Sequence, residues 1–336
     1  MSNSPEHDPL NLEPSAPAQE ASLSAEDILS AADGDFPSTI QDFTHPQDDP
    51  SAEPPLFKSW TQPEIRPQVR IPHFGHLCIL ALLTIPALLA TTLLIQSALY
   101  FHLFGISTLQ QAVTDIHYTL GSMATLYLFT FAGSVLIFPL FWHKSFFAGL
   151  QWQGATALKL RRRLFAAAFA CFLLALANGL LMPGPENTPI DKLFRTPGAA
   201  WLLFAFGVTI APFFEEIVFR GFLLPALCTA WDWAIERNTG KPAHPLDENG
   251  HPQWSVFAML AGSILTSALF ALMHAEQTAH ALGPFLMLVC VSLVLCWARL
   301  STRSLAASVL VHASYNFMLF AFMLLGTEGF RHLDKM

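Results

Sequence analysis

The sequence contains few charged residues. Only 12% of its 336 residues are Asp, Glu, Lys or Arg, and 53% are hydrophobic, whereas soluble proteins carry about 25% charged residues. This composition excludes an ordinary soluble globular protein and predicts an integral membrane protein. Residues 71–336 hold 12 acidic and 14 basic residues, so no strongly basic region indicates nucleic-acid binding.

Cysteine pairs and an N-terminal signal sequence are also lacking. The five cysteines lie in apolar segments without a CxxC pair, which argues against a disulfide framework and a zinc knuckle: Cys78, Cys171, Cys228, Cys290 and Cys296. Met1 is followed by SNSPEHDPL, which has neither a basic n-region nor an apolar h-region. We therefore expect the first hydrophobic helix to direct insertion.

The N-terminal region differs from the rest of the chain. Residues 1–70 contain 11 prolines, 13 acidic and 3 basic residues, with only scattered apolar residues. Such a segment cannot bury enough apolar surface to offset its conformational entropy. We predict a disordered acidic tail over 1–70, whose charges are solvated or recruit a partner.

Apolar segments long enough to cross a bilayer of about 30 Å follow the tail. Seven of them are predicted, at about 75–101, 118–142, 163–182, 199–228, 255–275, 281–298 and 304–326. The predicted fold is an all-α polytopic membrane protein, a bundle of about seven to eight transmembrane helices. The eighth would arise if Pro212 split 199–228 in two. We divide the membrane part into helices 71–198, a core 199–326 and a short tail 327–336.

Basic residues indicate the orientation, because short loops rich in Lys and Arg stay cytoplasmic. The segment HKSFFAGLQWQGATALKLRRR, after the second span, carries five, and 102–117 carries none. Further cations flank the first and last spans: Lys58, Arg66, Arg70, Arg299 and Arg303. We predict a multi-pass protein of the plasma or inner membrane with a cytoplasmic N-terminal tail, although Lys192 and Arg195 would then lie outside.

Three polar patterns interrupt the apolar background. In FFEEIVFR, Glu216 and Arg220 are four residues apart and share a helix face, whereas Glu215 points about 100° away. A buried ion pair that sets helix register explains Glu216 and Arg220 but leaves Glu215 unexplained. Because a charged carboxylate in the bilayer costs about 2.5–3.5 kcal/mol, Glu215 indicates a functional site.

The other two patterns are FALMH, Phe270–His274, and HASYN, His312–Asn316. In each, the spacing of four residues places both polar or aromatic members on one helix face. We interpret Phe270 as a packing residue that shapes a cavity. The predicted spans put His274 near the outer end of its helix and His312 nearer the inner end, a depth difference of about 15 Å.

Together these patterns resemble the CPBP intramembrane proteases, which include the CAAX prenyl endopeptidases and bacteriocin-processing relatives. EEIVFR is similar to the EExxxR motif of that family, FALMH to FxxxH and HASYN to HxxxN, in the same order. The resemblance covers about residues 199–320. It implies an intramembrane endopeptidase that hydrolyses a peptide bond in a membrane-tethered, CAAX-type or transmembrane, protein or peptide.

The resemblance also implies roles for these residues. Glu215 would be the general base that takes a proton from water, and His274 would share that water or bind a metal. His312 and Asn316 would donate hydrogen bonds to the oxyanion, and Glu216 with Arg220 would support the site. Glu215, His274 and His312 form a reasonable zinc set, but no HExxH motif is present, so the sequence leaves metal dependence open.

Two other functions fit part of the pattern. A non-catalytic membrane binder or immunity protein would keep the fold, but it need not keep every motif position, and here each is filled. A proton-coupled transporter also buries carboxylates, arginines and histidines, yet it usually shows repeat symmetry, and here these residues are all in the second half of the membrane part.

Overall fold

A computed structural model describes residues 70–182, 198–241, 244–248 and 250–330. The predicted tail up to residue 69, Lys192, Arg195 and residues 331–336 lie outside the described residues. Arg70 is described, and its guanidinium pairs with the Glu236 carboxylate at 2.7 Å.

The described residues form an all-α membrane protein, which confirms the predicted fold class. They contain no β-strand, only an isolated bridge between Leu246 and Pro252. Seven of their helical segments are long and apolar enough to cross a membrane: α1 Phe74–Tyr100, α3 Ile116–Trp142, α6 Arg161–Leu181, the fourth span Ala199–Thr239, α10 Val256–Met273, α11 Leu282–Thr302 and α12 Leu305–Gly326. Shorter helices connect them: α2 Leu109–Thr114, α4 Phe146–Gly149 and α5 Gly154–Lys159.

The fourth span is a run of 41 residues and is not split into two spans at Pro212. It consists of α7 Ala199–Val208, α8 Ile210–Glu216, a π-helical turn Ile217–Leu223 and α9 Leu224–Thr239. The irregular residue is Thr209, with φ −116° and ψ −70°, in the turn where Pro212 cannot donate to the carbonyl of Val208. At 1.5 Å per residue the run is about 60 Å long, roughly twice the hydrocarbon core.

This length removes the depth difference predicted between His274 and His312. The N–H of Ser255, just before α10, donates to Asp232 at 2.9 Å, so α10 begins level with Asp232. Helix α12 begins level with Gly221, since a Cβ added there would lie 3.4 Å from Leu305. Asp232 and Gly221 are eleven residues apart, which is about 16 Å along the helix. Helix α10 therefore begins about 16 Å further along the fourth span than α12 does. This offset brings His274 and His312 to the same depth.

Basic segments gather at one end of the bundle. The N–H of Leu305 donates to the carbonyl of Gln151 at 3.0 Å, and the Ser304 hydroxyl donates to the carbonyl of Gln153 at 2.9 Å. These bonds tie the loop between α3 and α6 to the turn before α12. The Arg70–Glu236 pair joins the start of α1 to the same end.

Candidate active site

Glu216 and Arg220 form a fully buried pair on the fourth span. Arg220 Nη1 donates to Glu216 Oε1 at 2.9 Å, and both side chains are 0% exposed. Nη2 donates to the carbonyl and hydroxyl oxygens of Ser292 on α11, at 3.1 and 2.5 Å. The pair therefore links the fourth span to α11. Nothing in the sequence marked Ser292, because a serine in an apolar helix has no distinctive pattern.

His312 lies between the two glutamates. Its Nδ1 contacts Glu216 Oε1 at 2.9 Å, and its Nε2 lies 3.8 Å from Glu215 Oε2. With Glu216 ionised, Nδ1 carries the hydrogen and donates to it. When the ring is neutral, Nε2 presents a lone pair toward Glu215; when the ring is protonated, Nε2 becomes a second donor.

His274 approaches Glu215 from a third helix. It is the C-terminal cap of α10, and its Nε2 lies 3.9 Å from Glu215 Oε2. Its Nδ1 lies 2.8 Å from the carbonyl oxygen of Phe270, to which it donates in the tautomer that leaves Nε2 unprotonated. Glu215 Oε2 is thus faced by one nitrogen of each histidine, at separations that leave room for a bridging group.

Phe270 packs against the polar cluster. Its ring is 2% exposed and lies 4.6 Å from the His274 ring and 5.9 Å from the His312 ring, between centroids. The Arg220 guanidinium carbon lies 4.8 Å from the Phe270 centroid, within the range of a cation–π contact. Phe270 thus holds both histidines and the arginine in place.

Residues 197–318 match the family model described as Type II CAAX prenyl endopeptidase Rce1-like. This match agrees with the resemblance to the CPBP family that the three motifs indicate. The match contains all seven site residues predicted from the sequence. No curated protein and no solved structure matches the chain. The matched family supports an intramembrane protease function for residues 197–318, and it implies the membrane and a peptide substrate.

Asn316 has a different partner within this matched region. It lies one turn after His312 on α12, and its Nδ2 donates to the carbonyl oxygen of Gly207 at 2.7 Å. Gly207 is near the end of α7, two residues before the irregular Thr209. The structure therefore connects Asn316 to the fourth span and does not bring it into contact with Glu215. The second hydrogen of its amide nitrogen is not used by this bond.

Arg299 differs from the sequence prediction. The sequence places it in the RLSTR turn as a loop cation, but it lies on α11 and is 2% exposed. Its Nε donates to the carbonyl of Arg220 at 3.2 Å and its Nη2 to that of Leu150 at 3.4 Å. Arg299 therefore supports the π-helical turn that follows the two glutamates. Single π-helical turns of this kind are frequent at functional sites.

The donor set of the cluster was tested against a zinc ion. Histidine ligands usually donate their second nitrogen to a carboxylate or carbonyl, as His312 and His274 do here. Tetrahedral zinc with bonds of about 2.0–2.1 Å places its ligands about 3.3 Å apart, and the separations from Glu215 are 3.8 and 3.9 Å. Within the described parts of the chain, no group of three such side chains is spaced to hold a metal. The donor types fit zinc, but their spacing does not.

Proposed function

We propose that the protein is an intramembrane endopeptidase that hydrolyses a peptide bond in a membrane-tethered protein or peptide, with Glu215 as the base that activates water. One observation carries this proposal. Glu215 Oε2 is faced by Nε2 of both His274 and His312 at 3.9 and 3.8 Å, and the other ring nitrogen of each histidine is held by a protein oxygen. A water molecule can bridge such a gap by hydrogen bonds.

The charges of the cluster suggest which group carries a proton. Arg220 and Glu216 cancel each other, so an ionised Glu215 leaves one net negative charge among these three buried or nearly buried groups. A proton on a neighbouring histidine offsets it, because buried charges are stable only when compensated. We assign this proton to His312, since its Nδ1 donates to a carboxylate whereas that of His274 faces a carbonyl.

The reaction then follows in two steps. Glu215 takes a proton from water while His274 accepts the second hydrogen bond, and the oxygen of that water attacks the peptide carbonyl carbon. The electron pair of the C=O bond moves to the oxygen, where His312 Nε2–H and the second hydrogen of the Asn316 amide stabilise the oxyanion. Glu215 then delivers its proton to the leaving nitrogen as the C–N bond breaks.

The substrate follows from the position of the site. The site residues lie on or at the end of three of the seven candidate membrane spans, so the peptide bond must reach the site from the bilayer or its surface. A peptide tethered by a prenyl group or by a transmembrane segment meets this requirement. We propose that the basic end of the bundle, which includes the N-terminal side of α1, faces the cytoplasm of a plasma or inner membrane, by the rule for positive residues.

The proposal is tested with purified protein in liposomes and a membrane-tethered reporter peptide. We expect cleavage by the natural protein and a loss of at least about 100-fold for His274→Gln, because a positioned acid–base group contributes about 10² to 10⁴. His280→Gln is the matched control, since His280 is exposed and lies in the next turn. Equal rates for the two variants would contradict the role of His274. No cleavage by the natural protein would favour a silent binder.

Chelation tests the metal question separately. We expect 1,10-phenanthroline to leave the cleavage rate unchanged, because no metal-holding group of three side chains is present in the described residues. The measurement is the initial rate in liposomes after dialysis against the chelator. Loss of activity that added zinc restores would assign Glu215, His274 and His312 as ligands instead.

A further inference from the structure

A cavity with several polar side chains in its wall lies at the basic end of the bundle, away from the glutamates. It has a volume of about 650 Å³ and opens between the start of α1, the end of α3, Leu246 and Gly250. Its polar side chains are His73, His76, Trp142, His143 and Lys144. None of the described residues that line it is acidic, although it adjoins Asp247, which pairs with Arg303 at 2.9 Å.

The two histidines at the start of α1 are fixed as hydrogen-bond donors. The N–H of Gly75 donates to His73 Nδ1 at 3.1 Å, and the N–H of His73 donates to His76 Nδ1 at 3.2 Å. Both Nδ1 atoms therefore lack a hydrogen, and each neutral ring carries its hydrogen on Nε2. Burial lowers the pKa of His73, which favours this neutral form. Because the two Nδ1 atoms accept these bonds, the Nε2–H groups of His73 and His76 remain as donors.

Trp142 closes one side of the cavity. The residue is 5% exposed, and its Nε1 is fully buried with no acceptor among the described residues, so this N–H does not face the open space. The indole ring stacks on Phe138 at 4.7 Å between centroids and gives the cavity a rigid apolar wall.

Lys144 adds a positive charge. Its Nζ lies 3.1 Å from the position that a Cβ on Gly250 would occupy. Gly250 has φ +72°, a conformation that glycine adopts without strain. A side chain there would intrude on the ammonium group, so the glycine leaves space for it in the wall of the cavity.

We propose that this cavity binds a phosphate group, and that the phosphate belongs to an anionic phospholipid. Two imidazole N–H donors and an ammonium group match the several acceptor oxygens of a phosphate. Trp142 is the last residue of a membrane-crossing helix, which places the cavity at the level of the headgroups. The neighbouring side chains of Phe74 and Phe141 are 43% and 57% exposed, as expected beside acyl chains. The same chemistry would also accept free phosphate.

Binding to the full chain in a non-ionic detergent tests the proposal without reference to proteolysis. The probes are dihexanoyl phosphatidic acid, inorganic phosphate and dihexanoylglycerol, and the readouts are the dissociation constant by calorimetry and the melting temperature. We expect saturable binding of phosphatidic acid and none of dihexanoylglycerol. Lys144→Gln should weaken it by about ten-fold, the loss of one charge-assisted hydrogen bond.

Lys159→Gln is the matched control, because Lys159 is an exposed lysine at the same end of the bundle, and it should bind as the natural protein does. Inorganic phosphate that binds as tightly as phosphatidic acid would support the anion site and assign it to free phosphate. The proposal is overturned if dihexanoylglycerol binds equally well, if no probe binds saturably, or if Lys144→Gln binds with unchanged affinity. Lys144 is exposed, so its variant should fold.

Discussion

Glu215→Gln is expected to abolish cleavage of a membrane-tethered reporter, with kcat/KM lower by about 10³-fold or more. The amide keeps the size and hydrogen bonding of the carboxylate, but it cannot take the proton from water, and general base catalysis contributes about 10² to 10⁴. The side chain lies near two histidine nitrogens and forms no buried ion pair with any arginine that the structure describes. We therefore expect the melting temperature in detergent to stay close to that of the natural protein.

Glu276→Gln provides the control for this prediction. Glu276 is an exposed carboxylate two residues after His274, so its variant experiences the same change of charge close to the site and should cleave at the natural rate. Turnover by Glu215→Gln at the natural rate would rule out Glu215 as the base. A joint loss of activity and of the folded state would instead point to a structural role.

Arg220→Met should have the largest effect on stability. The guanidinium is fully buried and donates to Glu216 and to both oxygens of Ser292. Its removal leaves an uncompensated carboxylate in the apolar interior, and breaking a buried pair in this way costs about 3–5 kcal/mol. We expect this loss in the free energy of unfolding, measured by denaturant titration in detergent micelles, together with loss of cleavage.

Two further variants separate the ion pair from general effects. Arg237→Met removes an exposed arginine from the same span, whose contacts are worth at most about 1 kcal/mol, so it should be nearly neutral. The double variant Arg220→Met with Glu216→Gln removes both charges and should regain part of the stability, as a double-mutant cycle would show. Double and single variants of equal stability would contradict a charge-based role.

Much of the fold was predictable from local properties of the chain. Each span is a long apolar segment, because backbone groups in a bilayer must be satisfied within one helix, and length and composition alone reveal such segments. The predicted segment 199–228 was too short by eleven residues, since the structure continues to Thr239. The end of this helix carries Glu236 and Arg237, and charged residues there give no apolar signal.

The candidate site was predictable in its residue types but not in its contacts. The spacing of Glu216 and Arg220 predicts a shared face, and the structure contains that pair. The position of His312 between Glu215 and Glu216, and the bond from Asn316 to Gly207, join residues that are about 100 positions apart. The sequence places Arg299 in a loop, and it gives no sign that the residue is buried. The partners of Arg299 in the structure are backbone carbonyls, which every residue has and no sequence pattern reveals.

The sequence by itself determined that the protein crosses a membrane, that about seven to eight helices do so, and which carboxylates and histidines interrupt them. These properties depend on the free energy of placing each side chain in the bilayer, which is set largely residue by residue. Only the tertiary structure decided that His274 and His312 reach Glu215 together. That meeting depends on where α10 and α12 begin along the long fourth span, and these levels are set by packing between distant segments.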